Sequence, residues 1–472
     1  MRSGGPADWS RGRLWARTRI YLLPAVLLLA IALPHLDQGD WRTDTGRYAA
    51  VGLQAWRESE FLTLRTHPDD PWFNKPPLAI LIHGLFVHVG GVHLWVARLP
   101  SVLAAVGCVL AAVWTARAFH VRGVALVVGL VLAMTYEFFR RSREVSLDLW
   151  QLFFLTTAMG MYVRAVSGST VRWASGSGAM IGLALLCKPL VGLMALPILG
   201  AWSVAVTEHR GRAALSFGLL TLAAVAVAAP WHVYMVVEHG AAFTGQYFGA
   251  EVADRAAGEI RTQPLWYYLS LLAKTYWPWM IPLFVGLVSL VRHLARGRDG
   301  LALASIWLVV WLSLISLFPD KAPRYAIILY PSAAWIAGWW VATNGATSGR
   351  RTARRVTGGA IGVACVVSVV IGVLPIRVQR GENPAWTAAL ETTVGREVVA
   401  IDVDTNQIAR FYLAGQAWPT PIEIPSDAPP TVLILRTPDF DWVPPPNEKV
   451  VFREERVCLT RRRSGAESPS VP

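Results

Sequence analysis

The sequence predicts an α-helical polytopic membrane protein of about eleven transmembrane helices, with a small C-terminal α/β domain outside the bilayer. Three observations predict this. Hydrophobic residues make up 54% of the 472-residue chain and charged residues only 16%, against roughly 25% charged in a soluble domain, and mean hydropathy is +0.41. Apolar runs approaching the ~20 residues needed to cross a bilayer recur from residue 20 to residue 375. Every second connection between these runs is basic, the pattern that marks the inner side. The 22 tryptophans suit membrane interfaces. A net charge of +13 could signal nucleic acid. Most Lys and Arg, however, lie in short loops between apolar runs, where they set topology and meet anionic lipid, so no nucleic-acid partner is expected. Cys108, Cys187, Cys365 and Cys458 are scattered without a CxxC spacing, which excludes a zinc knot or redox motif and leaves buried free thiols.

Arg2, Arg11, Arg13, Arg17 and Arg19 precede the first apolar run, 20–36. That run is long for the core of a signal peptide and no small-residue cleavage site stands out, so a retained helix with its amino end inside is expected. Further spans are expected at 97–117, 124–139, 149–167, 175–187, 190–206, 214–236, 278–292, 301–317, 325–342 and 356–375, completing a transmembrane domain over residues 1–375. The inner loops then carry Arg117 and Arg122, Arg164 and Arg172, Arg210 and Arg212, Arg292, Arg296 and Arg298, and Arg350, Arg351, Arg354 and Arg355. An odd number of spans places the C-terminus outside. Outer loops are expected at 37–96 and 237–277. In the first, Asp44 can cap a helix that carries Tyr48, Val51 and Ala55 at helical spacing. A second helix is expected to begin near Pro76 or Pro77 and to run through 78–89, because proline fits a first turn. In the second, Trp266-Tyr267-Tyr268 and Trp277-Pro278-Trp279 suit an interface. Beyond 376, strands at 398–403, 431–435 and 450–452 and a helix at 405–414, separated by Pro- and Asp-rich turns, predict a soluble α/β domain over 376–460. A disordered tail is expected at 461–472. Gly178-xxx-Gly182 and Gly358-xxx-Gly362 are candidate close-packing sites.

The outer connections differ in kind from the inner ones. They mix acids and bases near helix ends: Asp44, Arg47, Lys75, Arg143, Glu144, Asp148, Lys188, Glu251, Asp254, Arg255, Asp320, Lys321 and Arg324. Such a set suits an enzyme acting on a lipid-linked, anionic substrate. In transfer of a sugar from a polyprenyl phosphate, the departing phosphate needs no proton. The site must supply a base for the acceptor hydroxyl and cations for the developing phosphate charge. Asp44 is the natural base, and Lys75, Lys188 and Arg255 are natural phosphate clamps. The plainer alternatives are an Asp44 that only caps a helix beside Arg47, a Lys75 that reaches to headgroups, and an Asp148 that only starts a helix. Lys188 lies between apolar runs, where a cation is costly unless paired. His67, His83, His88 and His93 lack a shared helical face and read as structural rather than as metal ligands. A lipid or solute transporter is the alternative reading. It is disfavoured because the charges gather at one face instead of the midplane and no repeat is evident.

In this order, Asp44-x-x-Arg47-Tyr48, Lys75-Pro76-Pro77, Leu147-Asp148 and Lys188-Pro189 resemble the bacterial ArnT-like glycosyltransferases, which group with the protein O-mannosyltransferases in the GT-C fold superfamily. Pro230-Trp231, the segment 263–278 and Lys321-x-x-Arg324-Tyr325 also look like that family. The resemblance implies a GT-C fold and an inverting transfer from a polyprenyl phosphate-linked sugar at the outer face of the inner (plasma) membrane. The acceptor would be a lipid A-like lipid, a glycan or a protein. It implies catalytic carboxylates at Asp44 and Asp148, and a lipid-phosphate contact at Lys75. Arg47, Tyr48, Lys188, Arg255, Lys321, Arg324 and Tyr325 are then substrate-binding. Two positions depart from the family pattern: Asp44-Thr45 stands where Asp-Glu is frequent, and Asn74-Lys75-Pro76 where Glu-Lys-Pro is frequent. ArnT places a metal near that glutamate and a loop histidine, whereas the matching loop here reads Glu251-Val252. No cofactor is therefore expected to be required, and a divalent metal is left open.

Overall fold

The computed structural model describes residues 6–37, 45–67, 70–120, 122–168, 170–206, 210–253, 263–294, 300–319 and 321–347, with isolated positions between 358 and 370 and strands from 398 to 462. The chain divides into two compact units. The first comprises Met1–Pro34, Phe73–Ala79 and Ser101–Pro375; the second comprises His35–Trp72, Ile80–Pro100 and Ile376–Pro472.

Helices in chain order are α1 (Pro6–Ala32), α2 (Thr45–Glu58), α3 (Leu78–Gly90), α4 (Leu94–Ala116), α5 (Arg122–Ala133), α6 (Tyr136–Ser142), α7 (Leu147–Ser167), α8 (Thr170–Leu185), α9 (Pro189–Leu193), α10 (Ala195–Val206) and α11 (Arg210–Thr244). A π-helical segment, Gly245–Ala253, continues α11. Then come α12 (Tyr267–Thr275), α13 (Met280–Leu294), α14 (Gly300–Leu317), a 3-10 helix (Pro323–Leu329) and α15 (Tyr330–Thr347).

Among the described residues, four helices are long and apolar enough to cross a membrane: Leu94–Ala116, Arg210–Gly249, Gly300–Leu317 and Pro323–Thr343. The α5–α6 pair would make a fifth, and Ile20–Ala32, Leu78–Gly90, Val191–Ala205 and Met280–Ser289 are shorter apolar helices. The expected span 356–375 lies largely outside the described residues.

Three expected spans take a different form. The helix over 20–36 starts at Pro6 and stops at Ala32, ahead of Pro34, since the residue before a proline disfavours the α conformation. The span expected at 124–139 is α5 and α6, bent by 64°. Thr135 between them is extended (φ −71°, ψ 115°), and its hydroxyl donates to Val131 O at 2.8 Å. The bend takes Glu137, Arg140 and Arg141 out of line with the apolar stretch, where such charges would be costly. The helix expected at 214–236 runs on to Thr244 with a kink at Gly240 (φ +50°, ψ −124°), a backbone conformation that suits glycine.

In the first unit, α8 lies flush on α11. A Cβ on Gly178 would stand 2.1 Å from Leu220 O, and one on Gly182 2.6 Å from Val227 Cβ, so this glycine pair is a close-packing site. A Cβ on Gly358 or Gly362 would meet no described atom within 4 Å. The rest of α11 is apolar outward: Leu222, Val225, Val233 and Val237 are exposed, as a lipid-facing helix requires.

The second unit contains α2, most of α3 and the antiparallel pair β1 (Arg65–His67) and β2 (Asp70–Pro71). The two helices expected in the first outer loop are present as α2 and α3. They cross with backbones in contact at Gly52 and Gly84: a Cβ on Gly84 would lie 2.1 Å from Gly52 C, and one on Gly52 2.4 Å from Ile80 O. Gly84→Ala is therefore expected to destabilise the protein by about 1–3 kcal/mol or more, since backbone cannot yield as a side chain can; the thermal midpoint in detergent measures it. His83 is fully buried and its Nδ1 donates to Ala97 O at 2.7 Å, the structural role expected of it.

C-terminal strands β3 (Val398–Ile401), β4 (Pro419–Thr420), β5 (Leu433–Arg436), β6 (Glu448–Glu454) and β7 (Val457–Arg462) form one sheet in the order β4-β3-β5-β7-β6. β3 is parallel to β4 and β5, whereas β7 is antiparallel to β5 and β6. The three expected strands are all present, and β7 runs two residues into the stretch expected as tail. Parallel neighbours need a crossover between them, and the helix expected at 405–414 lies outside the described residues.

Candidate active site

The centre of the candidate site in the first unit is an ion pair. Asp148, in the first turn of α7 ahead of the apolar stretch 149–167, accepts from Lys188 Nζ. Each side chain is 12% exposed. Lys188 lies in the break between α8 and α9, with an extended backbone (φ −155°, ψ 128°) and Pro189 opening the next helix. One turn below Asp148, the Gln151 amide donates to Lys188 O at 2.6 Å and to Ala184 O at 3.1 Å. The cation between two apolar runs is thus paired, as its cost demands.

Arg324 and Tyr325 complete the cluster. Lys188 Nζ lies 6.0 Å from the Tyr325 ring centroid, and Arg324 Cζ lies 5.8 Å from it. Trp311 of α14 fixes this turn by donating to Tyr325 O at 3.0 Å. Tyr268 of α12 donates to Ala322 O at 3.2 Å. Lys321, expected at substrate, is buried and donates to Phe318 O at 2.7 Å and Gln263 O at 2.9 Å. It closes the end of α14 and holds Gln263, four residues ahead of α12.

Burial opposes ionisation of Asp148 most strongly, but Lys188, then Arg324 and Arg141, outweigh it and hold the carboxyl below its ordinary range. With the folded-state value depressed, the ionised pair stabilises the protein above the unfolded carboxyl's range, and this contribution is lost as pH falls through the folded-state value. Between about pH 7 and about pH 3, the thermal midpoint of wild type is therefore expected to fall more steeply than that of Asp148→Asn. Parallel declines would show that the pair does not carry the acid sensitivity.

Lys75 is tied to the same turn through the main chain: Leu78 N donates to Leu186 O at 3.1 Å. Lys75 is buried, and its Nζ donates to Asn74 O at 2.9 Å. The preceding Phe73 sits in a cluster with Trp231, Met235, Phe243 and Tyr247, edge-on to Phe243 at 5.7 Å between ring centroids. Asn74 Oδ1 accepts from Gln246 Nε2 at 2.6 Å. The Phe73–Lys75 segment is therefore clamped by the C-terminal end of α11 and its π-helical continuation.

Arg47 and Tyr48 belong to the second unit. Tyr48 is buried on Trp72, with ring centroids 6.1 Å apart, and Arg47 is half-buried. Asp44 and Arg255 lie outside the described residues. The structure thus brings together Asp148, Lys188, Arg324 and Tyr325, with Lys75 tied to the same turn.

Sequence reasoning missed Gln151, Gln246 and the charge network of α6. Arg140 bridges Glu137 and Glu144, with Nη1 donating to Glu144 Oε1 at 2.6 Å, and Arg141 Nη1 donates to Glu144 Oε2 at 2.9 Å. The signal was present in Glu137, Arg140, Arg141 and Glu144, whose spacings of three and four place them on one helical face. Among the described residues, no group of three or more His, Cys, Asp or Glu is placed to hold a metal.

Residues 74–234 match the family described as dolichyl-phosphate-mannose-protein mannosyltransferase. An undecaprenyl phosphate-α-4-amino-4-deoxy-L-arabinose arabinosyl transferase of Pseudomonas aeruginosa is 28% identical over 321 residues, 64% of this chain and 56% of that protein. The chain is similar to the ArnT-like glycosyltransferases. The Enterobacter arabinosyl transferase is 25% identical over 344 residues, 68% of this chain and 57% of its own length. The match thus spans little more than half of these relatives. In fold, ArnT from Cupriavidus metallidurans bound to undecaprenyl phosphate superposes with a TM-score of 0.72 at 17% identity, covering 96% of this chain and 100% of that one. The archaeal oligosaccharyltransferase AglB from Archaeoglobus fulgidus superposes with a TM-score of 0.60 at 13% identity, covering 87% and 65%. These similarities agree with the resemblance in the motifs; the helical fold resembles that of ArnT and AglB, and with its apolar helices the chain is a multi-pass membrane protein.

Proposed function

We propose that this protein is an inverting glycosyltransferase of the inner membrane, moving a sugar from a polyprenyl phosphate to an extracytoplasmic acceptor: a lipid A-like lipid, a glycan or a protein. The observation that carries the reading is the Asp148–Lys188 pair with Arg324 beside it. It is a cation-rich cluster at a helix break in an apolar bundle, at the positions where the motifs resemble ArnT. Such a cluster can hold a phosphate where water is scarce and charge interactions are strong.

In this mechanism the acceptor oxygen attacks the anomeric carbon from the face opposite the phosphate. The bond from that carbon to the phosphate oxygen breaks, and its electron pair stays on the departing polyprenyl phosphate. Asp44 takes the proton from the acceptor hydroxyl. Lys75, Lys188 and Arg255 offset the charge that grows on the phosphate, with Arg324 near Lys188. Asp148 holds Lys188 and orients the sugar or acceptor. By the motif resemblance Arg47, Tyr48 and Tyr325 are assigned to donor binding, and Lys321 supports the turn that presents Arg324 and Tyr325.

No cofactor enters this scheme. The relatives' metal-side glutamate is replaced by Asn74, whose carbonyl oxygen is taken by the Gln246 amide. An amide so engaged is a poor replacement for an anionic ligand, so this position does not fit an ArnT-type metal. The C-terminal sheet is assigned to an extracytoplasmic α/β domain over 376–460.

The test is incubation of purified protein with a panel of polyprenyl phosphate-linked sugars and candidate acceptors, scoring release of polyprenyl phosphate. Release with at least one donor is expected. Its absence across the panel, with protein shown to be folded, would reject the reading.

A further inference from the structure

We infer that Gln151 is a positioning residue for Lys188, an inference that rests on the proposed phosphate-binding role of that lysine. Gln151 is fully buried three residues after Asp148, on the same side of α7. Its Nε2 reaches two carbonyls of the turn that follows α8: Ala184 O at 3.1 Å and Lys188 O at 2.6 Å. Ala184 O also accepts from the main-chain N–H groups of Cys187 and Lys188, each at 3.1 Å. The amide therefore fastens the turn at both ends. Lys188 is then held twice by α7, through its carbonyl by Gln151 and through its ammonium by Asp148.

The amide can face only one way. Both contacts are to carbonyl oxygens, so the nitrogen must point at them. Its Oε1 is left buried without a hydrogen-bond partner. Leaving an acceptor unpaired in an apolar interior is unfavourable, and a methionine of the same length would fill the space without that cost. Stability alone does not explain a glutamine here; fixing the path of an extended residue between two helices does. An ammonium held by Asp148 alone would pivot with its backbone. With the carbonyl fastened as well, Lys188 keeps one direction, with the two N–H groups not used by Asp148 offered to an anion.

The test compares Gln151→Met with wild type and, because a buried substitution can fail to fold, with Gln151→Leu, which fills the space with another apolar shape and also loses the donors. Two readouts are taken. The first is acylation of Lys188 by an amine-reactive ester, followed by mass spectrometry. It asks only where the lysine is and needs no catalysis. Lys188 labelling is expected to rise severalfold in either variant, with other lysines unchanged. The second is release of polyprenyl phosphate. A donor KM raised by about fivefold to tenfold, with kcat little changed, is expected from loss of one or two hydrogen bonds. In a Lys188→Met background, Gln151→Met should add nothing further. Unchanged Lys188 labelling in a folded variant overturns the inference, as does a full additional loss in the Lys188→Met background. If wild type releases no polyprenyl phosphate, the functional reading fails while the labelling result still decides the role of Gln151.

Discussion

Asp44→Asn is expected to leave the protein folded and to lower sugar transfer by about 10²–10⁴-fold, the usual contribution of a positioned base. Asparagine keeps the shape of aspartate and could accept the capping hydrogen bond that the sequence predicts for position 44 from the start of α2, which begins at Thr45. The capping function survives such a change, because asparagine ranks with aspartate at this position. What is lost is the capacity to take a proton. The substitution therefore separates the two roles open to Asp44, cap and base. Radiolabelled donor and a saturating acceptor measure the rate, and the thermal midpoint measures the fold. Transfer within a fewfold of wild type would remove Asp44 from the mechanism.

The second large effect is expected at the Asp148–Lys188 pair. Lys188→Met leaves a buried carboxylate without its closest cation, and removing one partner of a buried pair costs about 3–5 kcal/mol. Asp148 would then keep only the more distant influence of Arg324 and Arg141. The double replacement Asp148→Asn with Lys188→Met removes both charges and is expected to recover most of that stability, since buried pairs contribute little net against apolar substitutes. Transfer should not recover with it. A double variant that is both stable and active would show that the pair serves only the fold.

Much of this architecture was legible in the residues themselves. The cap signal at Asp44 and the prolines at 76 and 77 placed α2 and α3 within a loop that hydropathy alone would leave unstructured. Three members of the candidate cluster, Asp148, Lys188 and Arg324, could be named because charges at the ends of apolar runs are costly and so conspicuous, whereas Tyr325 came only with the motif resemblance. The bend at Thr135 was not legible. Hydropathy averages over a window, and the run 124–139 is continuous in composition although Glu137 within it pairs with Arg140 and Arg141 just beyond it. The contact of Gly52 with Gly84 was hidden for a different reason: it joins two helices, and no local motif records it. Gln151 was missed because a single amide within an apolar run carries no charge to draw attention. Its spacing from Asp148 was the available clue.

The length of α11 has a consequence for where chemistry can occur. The apolar helical stretch Arg210–Gly249 contains 40 residues. At about 1.5 Å per residue it rises roughly 60 Å, twice the ~30 Å hydrocarbon layer. Unless tilted by about 60°, a stretch of this length outruns that layer, and the kink at Gly240 turns its last residues in a new direction. Phe243, Gln246 and Tyr247 ride near its far end and grip Phe73 and Asn74 there. On the proposed topology the helix is a mast that sets the height at which Lys75 meets the lipid. Shortening it by whole turns below that grip would lower the lysine by about 5 Å per turn, a direct way to ask how far from the hydrocarbon the phosphate must be met.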